Sequence, residues 1–101
     1  MQDWSYEISN PNEINNYIEL YEITTDDDEK FVLMEVIIQA LEDQEREELF
    51  LKYCYLIKDL LKKDFDIHEY TVYYWSCLNT ENIEDGFKIS GFMREILLMN
   101  K

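Results

Sequence analysis

Glycine and proline are nearly absent from this chain, and their scarcity limits its possible folds more than any other feature. The 101 residues include two glycines, Gly86 and Gly91, and one proline, Pro11. A protein built from short β-strands needs turn residues about every 8–12 positions. An all-β fold is therefore disfavoured, and the sequence predicts helices joined by short polar turns.

The composition predicts one folded domain, residues 1–101, with a strongly acidic surface. Apolar residues make up 47% of the chain and aromatic residues 15%, whereas disordered segments are poor in both. Twenty-three acidic residues against nine basic ones give a formal net charge of −14. Such a charge opposes binding to nucleic acid or an anionic membrane and favours fast capture of cationic partners. We therefore expect a basic protein as the partner.

The first helix is predicted over residues 11–21. Asn10 is a suitable N-cap, and Pro11 is well placed at the first helical position. The apolar residues that follow have helical spacing, and they are Ile14, Tyr17, Ile18 and Tyr21.

A second helix is predicted from the stretch TTDDDEK, residues 24–30. Thr25 can cap it, and the macrodipole favours the acids of the first turn, which are Asp26, Asp27, Asp28 and Glu29. Four consecutive acids exceed what capping requires, so we expect some of them to serve binding. Nine of the eleven residues in 31–41 are apolar, and the exceptions, Glu35 and Gln39, share one stripe. Such a pattern predicts a central, buried helix.

A third helix is predicted to pack antiparallel to the second. The seven polar residues of EDQEREE, residues 42–48, indicate the turn between them. Two adjacent apolar tracks follow: Leu49, Tyr53, Leu56 and Leu60 beside Phe50, Cys54, Ile57 and Leu61. The helix is expected to end near Lys62 and Lys63, since cations suit a helix C-terminus.

The segment DIHEYTVYYWSCLN, residues 66–79, is compatible with two structures. Its β-branched and aromatic residues favour a strand, for which residues 3–8 are the candidate partner. A helical face is also present and is the preferred interpretation: Ile67, Tyr70, Tyr74, Cys77 and Leu78. An acidic loop and a last helix over 91–99, capped by Ser90, complete the chain, with Phe92, Met93, Ile96 and Leu97 inward.

The predicted fold class is therefore all-α. The expected architecture is a small bundle of four to five helices with a central antiparallel hairpin. A minor two-stranded element is the alternative.

No motif for chemistry is apparent. The contiguous acids of 26–29 lack the alternating ligands and central glycine of an EF-hand loop, and His68 is the only histidine. Cys54 and Cys77 fall on apolar faces, as small core residues do. We therefore predict no catalytic residues, no metal and no cofactor.

An aromatic run and its acidic flanks indicate a binding surface instead. Tyr73, Tyr74 and Trp75 would spread over roughly 200° of a helix, so at least one of them should be exposed. Six acids and no Lys or Arg lie between Asp64 and Phe87. Aromatic anchors with an acidic rim suit a basic partner, although core packing of the run and a merely solvated acidic surface are open alternatives. The predicted partner-binding residues are Asp26, Asp27, Asp28, Asp64, Asp66, Glu69, Tyr73, Tyr74, Trp75, Glu81, Glu84 and Asp85.

In size, acidity and aromatic content, and in the tail GFKISGFMREILL, the chain resembles the small α-helical immunity proteins that bacteria make against their own toxins. The similar proteins are those of the nuclease colicins and of contact-dependent growth inhibition systems. The resemblance implies tight stoichiometric binding of a toxin domain, often a basic nuclease, without catalysis. A nucleic-acid mimic that inhibits a restriction or CRISPR enzyme is the runner-up, and a small enzyme or regulatory subunit is a third possibility.

Location and assembly are expected to be simple. The residues after Met1, QDWSYEIS, have neither the basic nor the apolar region of a signal peptide, so we expect a cytoplasmic protein. We expect a monomer or a weak dimer.

Overall fold

The computed structural model describes residues 10–76 and 89–99. A 3-10 turn over Pro11–Glu13 leads into α1, and the five α-helices are α1 (Ile14–Ile23), α2 (Asp27–Glu42), α3 (Glu47–Lys63), α4 (Phe65–Ser76) and α5 (Ser90–Met99). Within these ranges there is no strand, and the all-α prediction is confirmed. Residues 67–76 belong to a helix, and the proposed partner strand, residues 3–8, lies outside the described residues.

The chain divides into two compact units, Met1–Phe50 and Leu51–Lys101. The first unit contains α1 and α2, and the second contains most of α3 together with α4 and α5. The single domain and the antiparallel pairing of α2 with α3 stay predictions.

The start of the first helix agrees with its prediction. The Asn10 side-chain oxygen accepts a hydrogen bond from the Asn12 N–H at 3.0 Å, as an N-cap does. At the other end, the Thr24 hydroxyl donates to the carbonyl oxygen of Leu20 at 2.7 Å. Carbonyls of a last helical turn have no partner within the helix, and Thr24 supplies one. The buried side chains of α1 are Ile14, Ile18 and Tyr21.

The second helix is buried as predicted, but its cap is a different residue. The Asp26 carboxylate accepts a hydrogen bond from the Glu29 N–H at 3.0 Å, so Asp26 is the N-cap and the prediction of Thr25 was wrong. The physical reason is register: the helix begins at Asp27, so Asp26 is the residue directly before it, and Thr25 lies one position too early. The buried side chains of α2 are Met34, Glu35, Val36, Ile37, Ile38, Ala40 and Leu41.

The turn between α2 and α3 is shorter than predicted and includes a buried side chain. Both helices extend into the polar stretch and leave only residues 43–46 between them. Gln44 is buried, and its amide nitrogen donates to the carbonyl oxygens of Pro11, at 2.7 Å, and Ala40, at 3.2 Å. These two bonds join the C-terminal end of α2 to the 3-10 turn.

The buried stripe of α3 is narrower than the two predicted tracks. Its buried members are Tyr53, Cys54, Ile57 and Leu61, whereas Leu56 is exposed. At 3.6 residues per turn, Leu56 lies roughly 100° around the helix from the middle of that stripe. The predicted inward position of Leu56 was therefore wrong.

α5 closes the C-terminal end of α4. Ser90 is the first residue of α5, and its buried hydroxyl donates to the carbonyl oxygen of Trp75 at 2.7 Å. Arg94 Nε donates to the carbonyl oxygen of Ser76, also at 2.7 Å. Both carbonyls belong to the last turn of α4, which leaves them without helical partners. The buried residues Met93, Ile96 and Leu97 agree with the prediction, while Phe92 is only half-buried.

Candidate protein-binding surfaces

One side of α4 carries acids and tyrosines together. The members of this acid–tyrosine face are Asp66, Glu69, Tyr70, Tyr73 and Tyr74. At about 100° per residue they occupy roughly 140° of the helix circumference. Tyr70 is 64% exposed and Tyr73 is 59% exposed, and Tyr74 lies at the edge of the exposed arc. The structure thus brings four of the predicted binding residues onto one helix face and adds Tyr70.

The opposite side of α4 is buried and holds this face in place. It consists of His68, Thr71, Val72, Trp75 and Ser76. The bonds from Ser90 and Arg94 to the last turn of α4 add to this support. Tyrosines carried on a packed helix lose little conformational entropy when a partner binds.

Trp75 is not part of the exposed surface. It is 2% exposed, and its ring meets the ring of Tyr74 edge-on, with the centroids 5.7 Å apart. Its prediction as a partner-binding anchor is corrected, because its position lies about half a turn from the centre of the acid–tyrosine face. Trp75 acts in the core, where it supports Tyr74 from below. The expectation that at least one aromatic of the run is exposed is confirmed by Tyr73.

Tyr70 was predicted on the wrong side of the helix. The predicted inward stripe included Ile67, Tyr70 and Tyr74, whereas the buried stripe is offset by about one residue. Buried polar residues such as His68 and Thr71 give no apolar signal, so the pattern alone could not reveal the offset. The exposed tyrosines are themselves half apolar, which makes them resemble core residues in sequence.

The remaining predicted residues fall elsewhere. Asp64 lies between α3 and α4, where its N–H bonds to the carbonyl of Leu60 at 3.1 Å and its own carbonyl accepts the Ile67 N–H at 2.9 Å. Glu81, Glu84 and Asp85 lie outside the described residues. Asp26, Asp27 and Asp28 belong to the first unit, at the start of α2.

A second surface feature lies between α1 and α2, and we call it the α1–α2 groove. It is an open groove of about 490 Å³, lined by Leu20, Thr24, Asp28, Glu29, Val32 and Leu33. One predicted acid, Asp28, lines it and is exposed. Sequence reasoning missed the groove, although Leu20 gave a signal as an apolar residue outside the inward stripe of α1.

Glu35 is the buried carboxylate of α2. It is 4% exposed, and burial raises its pKa because desolvation penalises the charged form. Catalysis by a carboxylate pair needs two such groups facing one pocket, and Glu35 does not line the α1–α2 groove.

Two further properties concern the described ranges 10–76 and 89–99. No three His, Cys, Asp or Glu side chains converge there in a way that could hold a metal ion. None of the helices in these ranges combines the length and apolar character needed to cross a bilayer.

Comparisons of the chain with protein-family models, with curated proteins and with solved structures gave no match.

Proposed function

We propose that this protein is an immunity protein that binds a basic toxin domain of the nuclease type and neutralises it by stoichiometric blockage in the cytoplasm. The observation that carries the proposal is the acid–tyrosine face of α4, where three tyrosines and two carboxylates share one exposed arc. The proposed protein acts by binding alone and catalyses no reaction.

The chemistry of this face suits a cationic protein surface. Tyr70 and Tyr73 offer aromatic rings that can accept Lys or Arg over their π-faces. Asp66 and Glu69 are on the same arc and can accept charge-assisted hydrogen bonds from the same side chains. Tyrosines are among the residues that most often dominate binding energy at protein interfaces.

The charge of the whole chain supports the same partner. Nucleases have cationic clefts because their substrate backbone is anionic. A net charge of −14 steers such a partner toward the protein and raises the association rate. A cell that must neutralise a toxin before it acts benefits from fast association.

The mixture of residues favours a protein interface over nucleic-acid mimicry. A mimic needs carboxylates in a regular row that matches phosphates, whereas the described face of α4 combines only two acids with three tyrosines. Tyrosines add apolar contact area, which a protein partner can bury.

Binding and protection together test the proposal. The protein is titrated by calorimetry against a candidate toxin domain encoded beside its gene and is co-expressed with that domain in a growth assay. We expect one-to-one binding and restored growth. A protein that neither binds that domain nor protects cells is not an immunity protein for it.

A paired substitution identifies the face. Tyr73→Ala removes an exposed ring from α4, and Tyr55→Ala removes a similarly exposed ring from α3. We expect Tyr73→Ala to weaken binding and protection while Tyr55→Ala leaves both unchanged. Equal losses from the two variants would contradict the assignment of the acid–tyrosine face.

A further inference from the structure

The α1–α2 groove leaves apolar side chains open to water. Leu20 is 48% exposed and Val32 is 39% exposed, and both line the groove. Ile23, one residue before Thr24 of the groove lining, is 77% exposed. Contiguous exposed apolar surface with a polar rim is typical of sites that bind another molecule.

Carboxylates border this apolar surface on the α2 side. Asp28 and Glu29 line the groove itself, and both are exposed. The carboxylate that accepts the capping hydrogen bond of α2 belongs to Asp26, so the carboxylates of Asp28 and Glu29 are not the capping groups. A helix N-terminus carries about half a positive charge, and it cannot offset the run of four acids.

The nearest cation in the sequence points elsewhere. Lys30 is the only basic residue before Arg46, and its ammonium lies 5.6 Å from the centroid of the Tyr21 ring. On α2 it is roughly 160° around the helix from Val32, which lines the groove. The groove therefore combines apolar walls with a negative rim, a charge that disfavours a second copy of this acidic chain.

The shape fits a segment of a protein. A volume of about 490 Å³ is enough for a few apolar side chains, and the groove is open along two neighbouring helices. Amphipathic helices bind in such grooves through apolar residues at spacings i, i+3, i+4 and i+7.

We propose that the α1–α2 groove docks a cationic amphipathic helical segment of a partner protein, with the apolar side chains of that segment against Leu20 and Val32 and its Lys or Arg residues against Asp28 and Glu29. This inference does not rest on the proposed toxin target, because the groove and the acid–tyrosine face belong to different units of the chain.

The test uses the full chain and a synthetic peptide. The probe is a fluorescein-labelled peptide of about 14 residues with Leu at i, i+3, i+4 and i+7 and Lys elsewhere. A peptide of the same composition in scrambled order controls for charge alone, and one with Glu in place of Lys tests the sign of the charge that the groove prefers. Binding is followed by fluorescence anisotropy, and the contact site is mapped from amide chemical shifts.

We expect the amphipathic peptide to bind and to shift the amides of Leu20, Thr24 and Val32. The scrambled and acidic peptides should each have an affinity lower by roughly tenfold or more. Equal binding of the scrambled peptide, absence of binding by the amphipathic one, or shifts confined to α4 would overturn the proposal.

Two matched variants fix the location. Leu20→Gln should weaken the amphipathic peptide by about tenfold or more, whereas Leu51→Gln, at a leucine of α3 that is 41% exposed, should not. Circular dichroism of each variant verifies that it is folded. An equal effect of both substitutions would overturn the proposal.

A second copy of the chain is the competing occupant. Sedimentation velocity is measured for the wild-type protein and for Leu20→Gln. The wild type should show no self-association that the substitution removes. Self-association that Leu20→Gln abolishes would make the occupant another copy and would overturn the peptide proposal.

Discussion

The acids of the TTDDDEK stretch have two different roles, because Asp26 caps α2 and the acids after it do not. Its carboxylate satisfies the Glu29 N–H and so starts α2. Asp27 and Asp28 follow in the first turn with exposed side chains. The dipole of the helix favours them, but the capping bond does not involve them, so they are free to face a partner. Of the three predicted binding acids in this stretch, Asp26 thus has a structural duty as well.

The capping role predicts an ordering of stabilities. Asp26→Ala should lower the free energy of unfolding by about 0.5–2 kcal/mol, as loss of an N-cap does. Thr25→Ala should change it by less than about 0.5 kcal/mol, because Thr25 is an exposed residue before the cap. Urea denaturation of the two variants measures both values. The reverse order would restore Thr25 as the cap.

Glu35 predicts a stability that depends on pH in a definite direction. Burial raises its pKa above the ordinary 4.5, so the folded chain holds the proton more tightly than the unfolded chain does. Ionisation of the buried Glu35 carboxyl therefore destabilises the fold. This cost is absent below the unfolded pKa, grows as the pH rises from the unfolded pKa to the folded pKa, and is complete above the folded pKa. Glu35→Gln should raise the free energy of unfolding at pH 7, and the gain should vanish near pH 4.5 and below.

The control for this experiment removes the charge of an exposed glutamate. Glu22 is exposed on α1, and Glu22→Gln removes one negative charge, as Glu35→Gln does. Thermal unfolding between pH 4 and pH 8 should show the pH-dependent gain for Glu35→Gln only. A parallel gain for Glu22→Gln would mean that overall repulsion, rather than burial, produces the effect.

Among the elements, α2 is buried on most of its circumference. Ile37 is fully buried, so Ile37→Ala should cost about 2–5 kcal/mol of stability by leaving a cavity. Domains of this size have only about 5–15 kcal/mol in total. Ile23→Ala, at an exposed position on α1, should cost less than about 0.5 kcal/mol. Chemical denaturation compares them, and similar costs would show that α2 is not essential to the core.

The helices differ in how far their sequence determines them. In α5 the buried positions follow from apolar spacing. In α2 most of them do, but Glu35 is buried and Val32 is exposed, so spacing alone does not give the full pattern. In α4 aromatic and apolar side chains surround most of the helix, so periodicity does not select the inward side. The contacts of Ser90 and Arg94 with the end of α4 join residues 15 and 18 positions apart. Local spacing cannot show such contacts.

Of the candidate surfaces, too, one part follows from local sequence and the rest depends on packing. An exposed aromatic in the run 73–75 could be predicted, because three consecutive rings cannot share one side of a helix. The burial of Trp75 and the exposure of Tyr70 could not, since they depend on which side of α4 packs. The α1–α2 groove needs Leu20 and Val32 to meet, and only the packing of the two helices brings them together.

At the scale of the whole molecule, the excess of acids has opposing effects. Like charges destabilise the folded chain, while the same field attracts cationic partners. Both effects are screened by salt, since the Debye length is about 8 Å at 0.15 M ionic strength. We therefore expect added salt to raise the melting temperature of the free protein, as measured by calorimetry. A decrease would show that self-repulsion is not a major cost.

The central claim is that acids steer a basic toxin domain to the acid–tyrosine face and that tyrosines then hold it. The most direct measurement is surface plasmon resonance with the candidate toxin domain encoded beside the gene of this protein. It is made across a series of salt concentrations for the wild type, Tyr73→Ala and Tyr55→Ala. The account predicts an association rate that falls as salt rises. It also predicts a dissociation rate that Tyr73→Ala raises roughly 30-fold, the equivalent of about 2 kcal/mol, and that Tyr55→Ala leaves unchanged. An association rate independent of salt, together with equal effects of the two tyrosine variants, would contradict it.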